Sequence, residues 1–169
     1  MNNFRDTEEQ KKEVELGEKD VLEVDSLVQD NPKSNVTPQP LITDNAISTF
    51  MEEYANTGMD AIRENRFSYI ESYLDPQGKA YQESQNYIKY INSKNISEEL
   101  LKYEVKDIIP IGNSEYKVFT YEEYEIKYED GTTKIKSFNS EYLVKELSKG
   151  CLVMSELLKT DELLSRGLN

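Results

Sequence analysis

The sequence contains no histidine and a single cysteine, Cys151. Without an imidazole there is no Ser-His-Asp triad and no Cys-His pair, because nothing can take the nucleophile's proton. A structural zinc site needs four ligands, usually Cys and His, and the chain cannot supply them. One cysteine cannot form an intramolecular disulfide, so cysteine usage fixes no redox compartment. No D-x-D-x-D-G loop is present for a hard cation. Neither a metal nor a cofactor is therefore expected. No apolar run approaches the roughly 20 residues of a membrane span, and no basic start followed by an apolar stretch marks a signal peptide. Positive charge is in the minority: 33 acidic residues face 20 basic ones, for a net charge of −13. Such a surface repels the phosphates of nucleic acid and an anionic membrane face. The acidity is read as a source of solubility.

Composition changes near residue 45. Residues 1–45 hold eleven Asp/Glu and five Lys/Arg, with scattered apolar positions such as Val14, Leu22 and Val28 and with Pro32, Pro38 and Pro40. That segment buries too little apolar surface to offset its ordering entropy, so a disordered acidic linker is expected there, holding at most a transient helix at 8–29. Residues 46–160 carry all twelve tyrosines and four of the five phenylalanines, enough for one core. Residues 161–169 are expected to form a C-terminal tail.

Within 46–160, Ile47, Phe50, Met51, Tyr54, Gly58 and Ile62 recur at helical spacing, with Thr43 or Asp44 as the cap and Asn65 at the end. Gly58 inside that stripe points to close packing or a bend. A short helix is expected over Phe67–Leu74. Asp75 and Pro76 read as N-cap and first residue of a third helix, with Ala80, Tyr81, Ser84, Tyr87, Ile88 and Ile91 facing inward. Ser97 is expected to cap a brief turn through Leu100. The period then becomes two. Leu101, Tyr103 and Val105 alternate with charged residues and the run ends at Asn113. Tyr116 through Tyr128 alternate over a long strand, Asp130-Gly131 marks a hairpin, and Phe138, Ser140, Tyr142 and Val144 share a face. Ile135 and Leu147 fall on the other parity, which predicts a bulge or twist in that strand. Lys149-Gly150 turns into a last strand at Leu152–Leu157. Helices followed by an antiparallel meander make an α+β fold, with a four-stranded sheet wrapped on the first long helix.

That order resembles the nuclear transport factor 2-like, or cystatin-like, fold. The stretches Tyr73-Leu74-Asp75-Pro76-Gln77-Gly78-Lys79, Glu98-Glu99-Leu100-Leu101, Tyr116-Lys117-Val118, Glu122-Glu123-Tyr124, Asp130-Gly131 and the segment Phe138–Val144 are similar to a narrower group. It is the C-terminal domain of TcaA-like, teicoplanin-resistance-associated membrane proteins of Gram-positive bacteria. The resemblance covers roughly residues 46–158. It implies an extracytoplasmic module of a membrane-anchored cell-envelope protein, with residues 1–45 as spacer. Members of that group usually begin with a zinc ribbon and a membrane helix; this sequence has no C-x-x-C pair and no apolar span. If residue 1 is the natural start, a cytoplasmic location follows instead. The implied partner is another envelope protein or a cell-wall component. No catalytic residue carries over, and the expectation is a non-enzymatic binding module.

Two other functions compete with that one. The fold type often encloses a pocket between helix and sheet, and a small-ligand carrier or enzyme would use it. The candidate lining is Tyr54, Tyr81, Tyr103, Glu122, Tyr124 and Tyr142, with Tyr116 and Asp75 as further players; a Tyr-carboxylate pair suits proton transfer where burial raises the carboxyl. Such a use predicts a closed cavity of roughly 300 Å³ or more containing a carboxylate. The alternative is a structural domain that forms a homodimer through the sheet. Strand parity puts Glu122 on the face of Val118, Tyr124 and Ile126, but a strand-end or bulge position turning it to water is the expectation. Glu122, Glu123, Glu125, Glu129 and Asp130 read as one local acidic cluster, a solvated edge that Lys134 and Lys136 neutralise across the hairpin. Cys151 is expected to be a buried small hydrophobe.

Overall fold

Thr43 caps the first helix. In the computed structural model, which describes residues 42–168, its hydroxyl accepts the Ala46 N–H at 3.2 Å. Helix α1 then runs Asp44–Arg63, with Asp44 in its first turn and Arg63 in its last, the order of charge that complements the helix dipole. The linker expected over residues 1–45 lies outside the described residues except at its end, where α1 begins two positions earlier than the composition boundary. Ile47, Met51, Ala61 and Ile62 form the buried stripe of α1. Asn65 follows at φ 49°, a left-handed position that asparagine tolerates.

The short helix expected at Phe67–Leu74 is two separate 3-10 turns, Phe67–Tyr69 and Glu71–Tyr73. Asp75 does not cap the next helix. Its carboxylate accepts the Gln77 N–H at 3.0 Å, which closes a turn of its own, and helix α2 starts later, at Lys79–Ser93 with Gly78 as N-cap. Asp75 is instead a buried lock. Its N–H donates to the Met154 carbonyl at 2.9 Å, and its carboxylate accepts from the Ser155 hydroxyl at 3.1 Å and lies 3.5 Å from the Lys145 ammonium. Burial pushes this carboxyl up. The Gln77 N–H, Ser155 and Lys145 outweigh that and hold it below the usual carboxylate range.

Four antiparallel strands follow: β1 Ser97–Gly112, β2 Glu115–Lys127, β3 Thr133–Ser148 and β4 Cys151–Leu168, in the spatial order β1-β2-β3-β4. The turn expected at Ser97–Leu100 is already strand. β4 does not stop near Leu157, and residues 161–168 are not a tail. They pair with β3 back to Thr133, because β3 is as long as 16 residues and offers an unpaired edge for that length. Beyond Leu157 this edge strand is exposed on both faces, Leu158, Leu163, Leu164 and Leu168 included.

The pairing of β2 with β3 is unbroken from Glu115↔Lys145 to Lys127↔Thr133. All register shifts fall in the outer pairings. In β1, Leu101, Lys106 and Ile111 are each skipped; in β4, Ser155, Leu158 and Leu163 are; in β3, only Leu147 is. Leu147 therefore owes its odd parity to a bulge, whereas Ile135 sits in regular register on the sheet's other face. Bulges bend a strand and increase its twist, and here all but Leu147 lie in the edge strands, while the pairing between the two central strands stays regular. The core forms where α1 and α2 meet the sheet, around Ile47, Met51, Ile88, Ile91, Val118, Val144 and Met154. Cys151 is exposed rather than buried, because it is the first residue of β4, beside the Gly150 turn.

Two glycines make opposite demands. A Cβ on Gly78 would lie 2.4 Å from the Ser155 carbonyl oxygen, so only hydrogen lets the Asp75 turn press on β4. A Cβ on Gly58 would meet nothing within 4 Å, so neither close packing nor a bend explains it. Gly78→Ala is expected to lower unfolding free energy by roughly 1–3 kcal/mol through overpacking. Gly58→Ala is expected to raise it by about 0.5–1 kcal/mol by improving the helix. Urea unfolding of the two variants against the parent chain measures both.

Candidate functional site

The alternation of β2 builds the site. Residues two apart on a strand share a face, so Thr120, Glu122 and Tyr124 project side by side toward the helices. Glu122 is 4% exposed. It is neither at a strand end nor at a bulge, contrary to expectation, because β2 is paired without interruption on its β3 side and the irregularities are taken up by β1 and β4. Its carboxylate is held by three hydroxyls: Thr120 and Tyr142 donate to Oε1 at 2.7 Å each, and Tyr124 donates to Oε2 at 2.9 Å. Removing a carboxylate from water costs several kcal/mol, and hydrogen bonds to a charged group return roughly 1.5–3 kcal/mol each. Three of them are enough to keep Glu122 inside.

Glu122 lies on the wall of a half-open cavity of about 420 Å³ between α1, α2 and the sheet. The cavity contains the expected carboxylate but is not the closed chamber expected. α1 contributes Tyr54, Gly58, Met59 and Ile62; α2 contributes Ser84, Tyr87 and Ile88; the sheet adds Tyr103, Ile126, Phe138 and Met154. Of the six candidate site residues, the structure brings five together: Tyr54, Tyr103, Glu122, Tyr124 and Tyr142. Tyr81 is not among them. Its ring packs edge-on against Phe67 at 5.0 Å and its hydroxyl donates to Glu71, at the margin of the face of α2 whose Ser84, Tyr87 and Ile88 line the cavity. Tyr116 is in the core, and Asp75 is the lock described above.

Gly58 now has a role: the side chain it lacks is part of the empty volume. Tyr103 has another. Its hydroxyl oxygen is buried and has no hydrogen-bond partner, alone in this among the described residues, although β1 sets the residue directly opposite Glu122. Tyr54 is better served, with its hydroxyl 3.3 Å from that of Ser84.

Glu98 and Tyr87 went unrecognised as site residues in the sequence. The Tyr87 hydroxyl donates to Glu98 at 2.6 Å, so its polar end turns inward although the ring is partly exposed. Glu98 shares a face with Tyr103 only because Leu101 is bulged out; simple alternation from Tyr103 puts it on the opposite face. Burial pushes the Glu98 carboxyl above the usual range, against the bond from Tyr87. The acidic cluster expected around Glu122 does not exist as a unit. Glu123 accepts from Tyr121 at 3.2 Å and Glu129 from Asn95 at 3.1 Å, away from Glu122. Lys136 is paired with Glu162 at 2.7 Å, and Lys134 lies over the Tyr128 ring.

Burial, followed by the charge of Glu122, raises the Tyr103, Tyr124 and Tyr142 phenols above their ordinary value of 10.0. Burial does the same for Tyr54, with Ser84 opposing and Glu122 adding. The cavity therefore presents un-ionised phenol hydroxyls. Among the described residues lining it there is no Lys or Arg.

Residues 43–158 match the family described as the TcaA protein NTF2-like domain. An "Uncharacterized membrane protein YvbJ" of Bacillus subtilis (strain 168) is 31% identical over 101 residues, which is 60% of this chain and 16% of that protein. The chain thus spans about a sixth of that relative's length. A ketosteroid isomerase-like protein from Erwinia carotovora atroseptica SCRI1043 superposes with a TM-score of 0.49 at 11% identity, over 63% of this chain and 89% of the other. The fold is nuclear transport factor 2-like, with two helices packed on an open four-stranded antiparallel sheet. Among the described residues no helix is long and apolar enough to cross a membrane.

Two outcomes follow from the site. Tyr142→Phe, which takes a donor from Glu122, is expected to cost about 1–3 kcal/mol of stability, whereas Tyr103→Phe, which removes an unsatisfied hydroxyl, is expected to be neutral or stabilising by about 1 kcal/mol; chemical denaturation compares them. The raised phenols also set a pH dependence. The folded state keeps protons that the unfolded chain releases above pH 10, so their contribution is fully present below about pH 10 and is lost as pH rises past it. An ultraviolet titration is expected to show the pocket tyrosines ionising only as the protein unfolds, after the exposed ones.

Proposed function

The chain belongs to the TcaA protein NTF2-like domain family, and from that membership we propose that it is a non-catalytic ligand-binding module of a membrane-anchored cell-envelope protein, facing outward. Three things support this reading: the family, the membrane-protein relative, and the cavity itself. The observation that carries it is the half-open space of about 420 Å³ with Glu122 at its wall, a size and a mixture of apolar lining with few polar groups that suit a small ligand. The ligand sought is a cell-wall component or a segment of another envelope protein.

Binding without turnover is the better account of the site's chemistry. Both oxygens of Glu122 already accept hydrogen bonds from the protein's own hydroxyls, which spend three of its lone pairs on holding it in place. The phenols that would act as acids are pushed away from neutrality, not toward it. Fold likeness by itself assigns no reaction.

The test is a two-dimensional NMR titration of the full chain with wall-derived disaccharide peptides and a panel of fragment-sized molecules. Shifts concentrated at Tyr54, Tyr103, Tyr124 and Tyr142, with the added molecules recovered unchanged, are the expected result. Chemical conversion of a bound molecule would sink the non-catalytic reading, and a cavity that answers to nothing in the panel would sink the ligand reading.

A further inference from the structure

Three carboxylates border the cavity at graded depth. Glu122 is buried, Glu98 is half-buried and Glu83 is exposed. No lysine or arginine among the described lining residues answers them. Lys134 and Lys136, which share the parity of Phe138 on β3, are engaged with Tyr128 and Glu162. A cleft lined by one sign of charge with apolar walls concentrates counter-ions of the other sign. The walls are aromatic as well: Tyr54, Tyr87, Tyr103, Tyr124, Phe138 and Tyr142 border the same space. Ring faces attract ammonium groups, most strongly where water is excluded.

The carboxylate itself has room for one more donor. A carboxylate offers about four lone-pair sites, and Glu122 uses three of them. The unpartnered Tyr103 hydroxyl is on the residue directly opposite it in the β1–β2 register. A buried hydroxyl with no partner is costly to keep, and a ligand polar group beside Glu122 would satisfy it.

We infer that the cavity is a receptor site for an organic cation, an ammonium group on an apolar body, with the ammonium seated at Glu122 among the tyrosine rings and the apolar body against Met59, Ile62 and Ile88. A metal ion is a poorer fit. Among the described residues no three Asp, Glu or Cys side chains converge closely enough to hold one. An anion would meet three carboxylates and no cation. A neutral ligand would leave Glu122 without a counter-charge. The raised Glu98 carboxyl is consistent with this, since a buried acid without a counter-charge resists ionising.

This inference rests on the reading of the cavity as a ligand site, and the experiment separates the two. The unaltered full chain is titrated by calorimetry with hexylammonium, hexanol and hexanoate, three probes with the same apolar body and different heads. Hexylammonium is expected to bind at least about tenfold more tightly than hexanol, and hexanoate not at all; a tenfold ratio is a difference of about 1.4 kcal/mol. Gly58→Leu sends a side chain into the empty space that Gly58 borders and is expected to abolish hexylammonium binding, which attraction to the acidic surface in general would survive. Glu122→Gln is expected to erase most of the preference over hexanol. Hexanol or hexanoate binding as tightly as hexylammonium would overturn the cation inference and leave the ligand site standing. No binding by any of the three would overturn the cation inference and count against the ligand site with it. Hexylammonium binding that is unchanged in Gly58→Leu would put the cation on the surface and also overturn the inference.

Discussion

One buried carboxylate constrains the architecture around it. Glu122 stays 4% exposed in the middle of a sheet only because three hydroxyls reach it, and they depend on two different features of the fold. Thr120 and Tyr124 are its same-face neighbours on β2 and come with strand periodicity alone. Tyr142 does not: it is four residues from Phe138, the cross-strand partner of Glu122. It meets Glu122 because long side chains on that face lean together. Any slip of β3 by one residue would send Tyr142 to the opposite face. The unbroken β2–β3 pairing is thus the condition for burying Glu122, and the bulges that bend the sheet fall in its outer pairings.

Much of this was legible in the sequence, and the failures have identifiable causes. The helix stripe of Ile47, Met51 and Ile62 and the alternation of β2 are strong periodic signals, so α1 and the shared face of Tyr116, Val118, Thr120, Tyr124 and Ile126 read correctly. Parity placed Glu122 inside; supposing a bulge that turned it out was the error. What defeats parity is a bulge elsewhere. Leu101 is 44% exposed because β1 skips it, and that one skipped residue carries Glu98 to the face of Tyr103. Nothing in a single sequence marks a bulge made of a leucine. Asp75 failed for a different reason: a side chain that closes a turn was mistaken for one that caps a helix. Tyr81 lies on the inward face of α2 as expected but at its margin, where its ring meets Phe67 rather than the cavity. β4 ran on to Leu168 because an available partner strand, not local propensity, decides where an edge strand ends.

Several positions look poorly optimised for stability, and they share one location. Gly58 interrupts a helix with nothing packed in the gap, Tyr103 keeps a buried hydroxyl unsatisfied, and Glu98 is a half-buried acid held above its usual range. Each breaks a different rule of self-consistent folding. Elsewhere the rules hold: Thr43 caps, Asp75 is fully partnered, and Gly78 is required by contact with Ser155. Violations of three different kinds gathered on a single cavity are where function is to be expected.

The way Glu122 is held also separates recognition from catalysis. A proton taken at the unused lone pair would cancel the charge to which Tyr124, Thr120 and Tyr142 donate, and all three bonds would fall from the charged to the weaker neutral class. An incoming ammonium adds a donor at that same lone pair, keeps the charge and leaves the three hydroxyls as they are. The same hydrogen bonds that make Glu122 tolerable in the interior therefore hold it as an acceptor, and an acceptor fixed in that way is suited to holding a ligand rather than to exchanging protons with one.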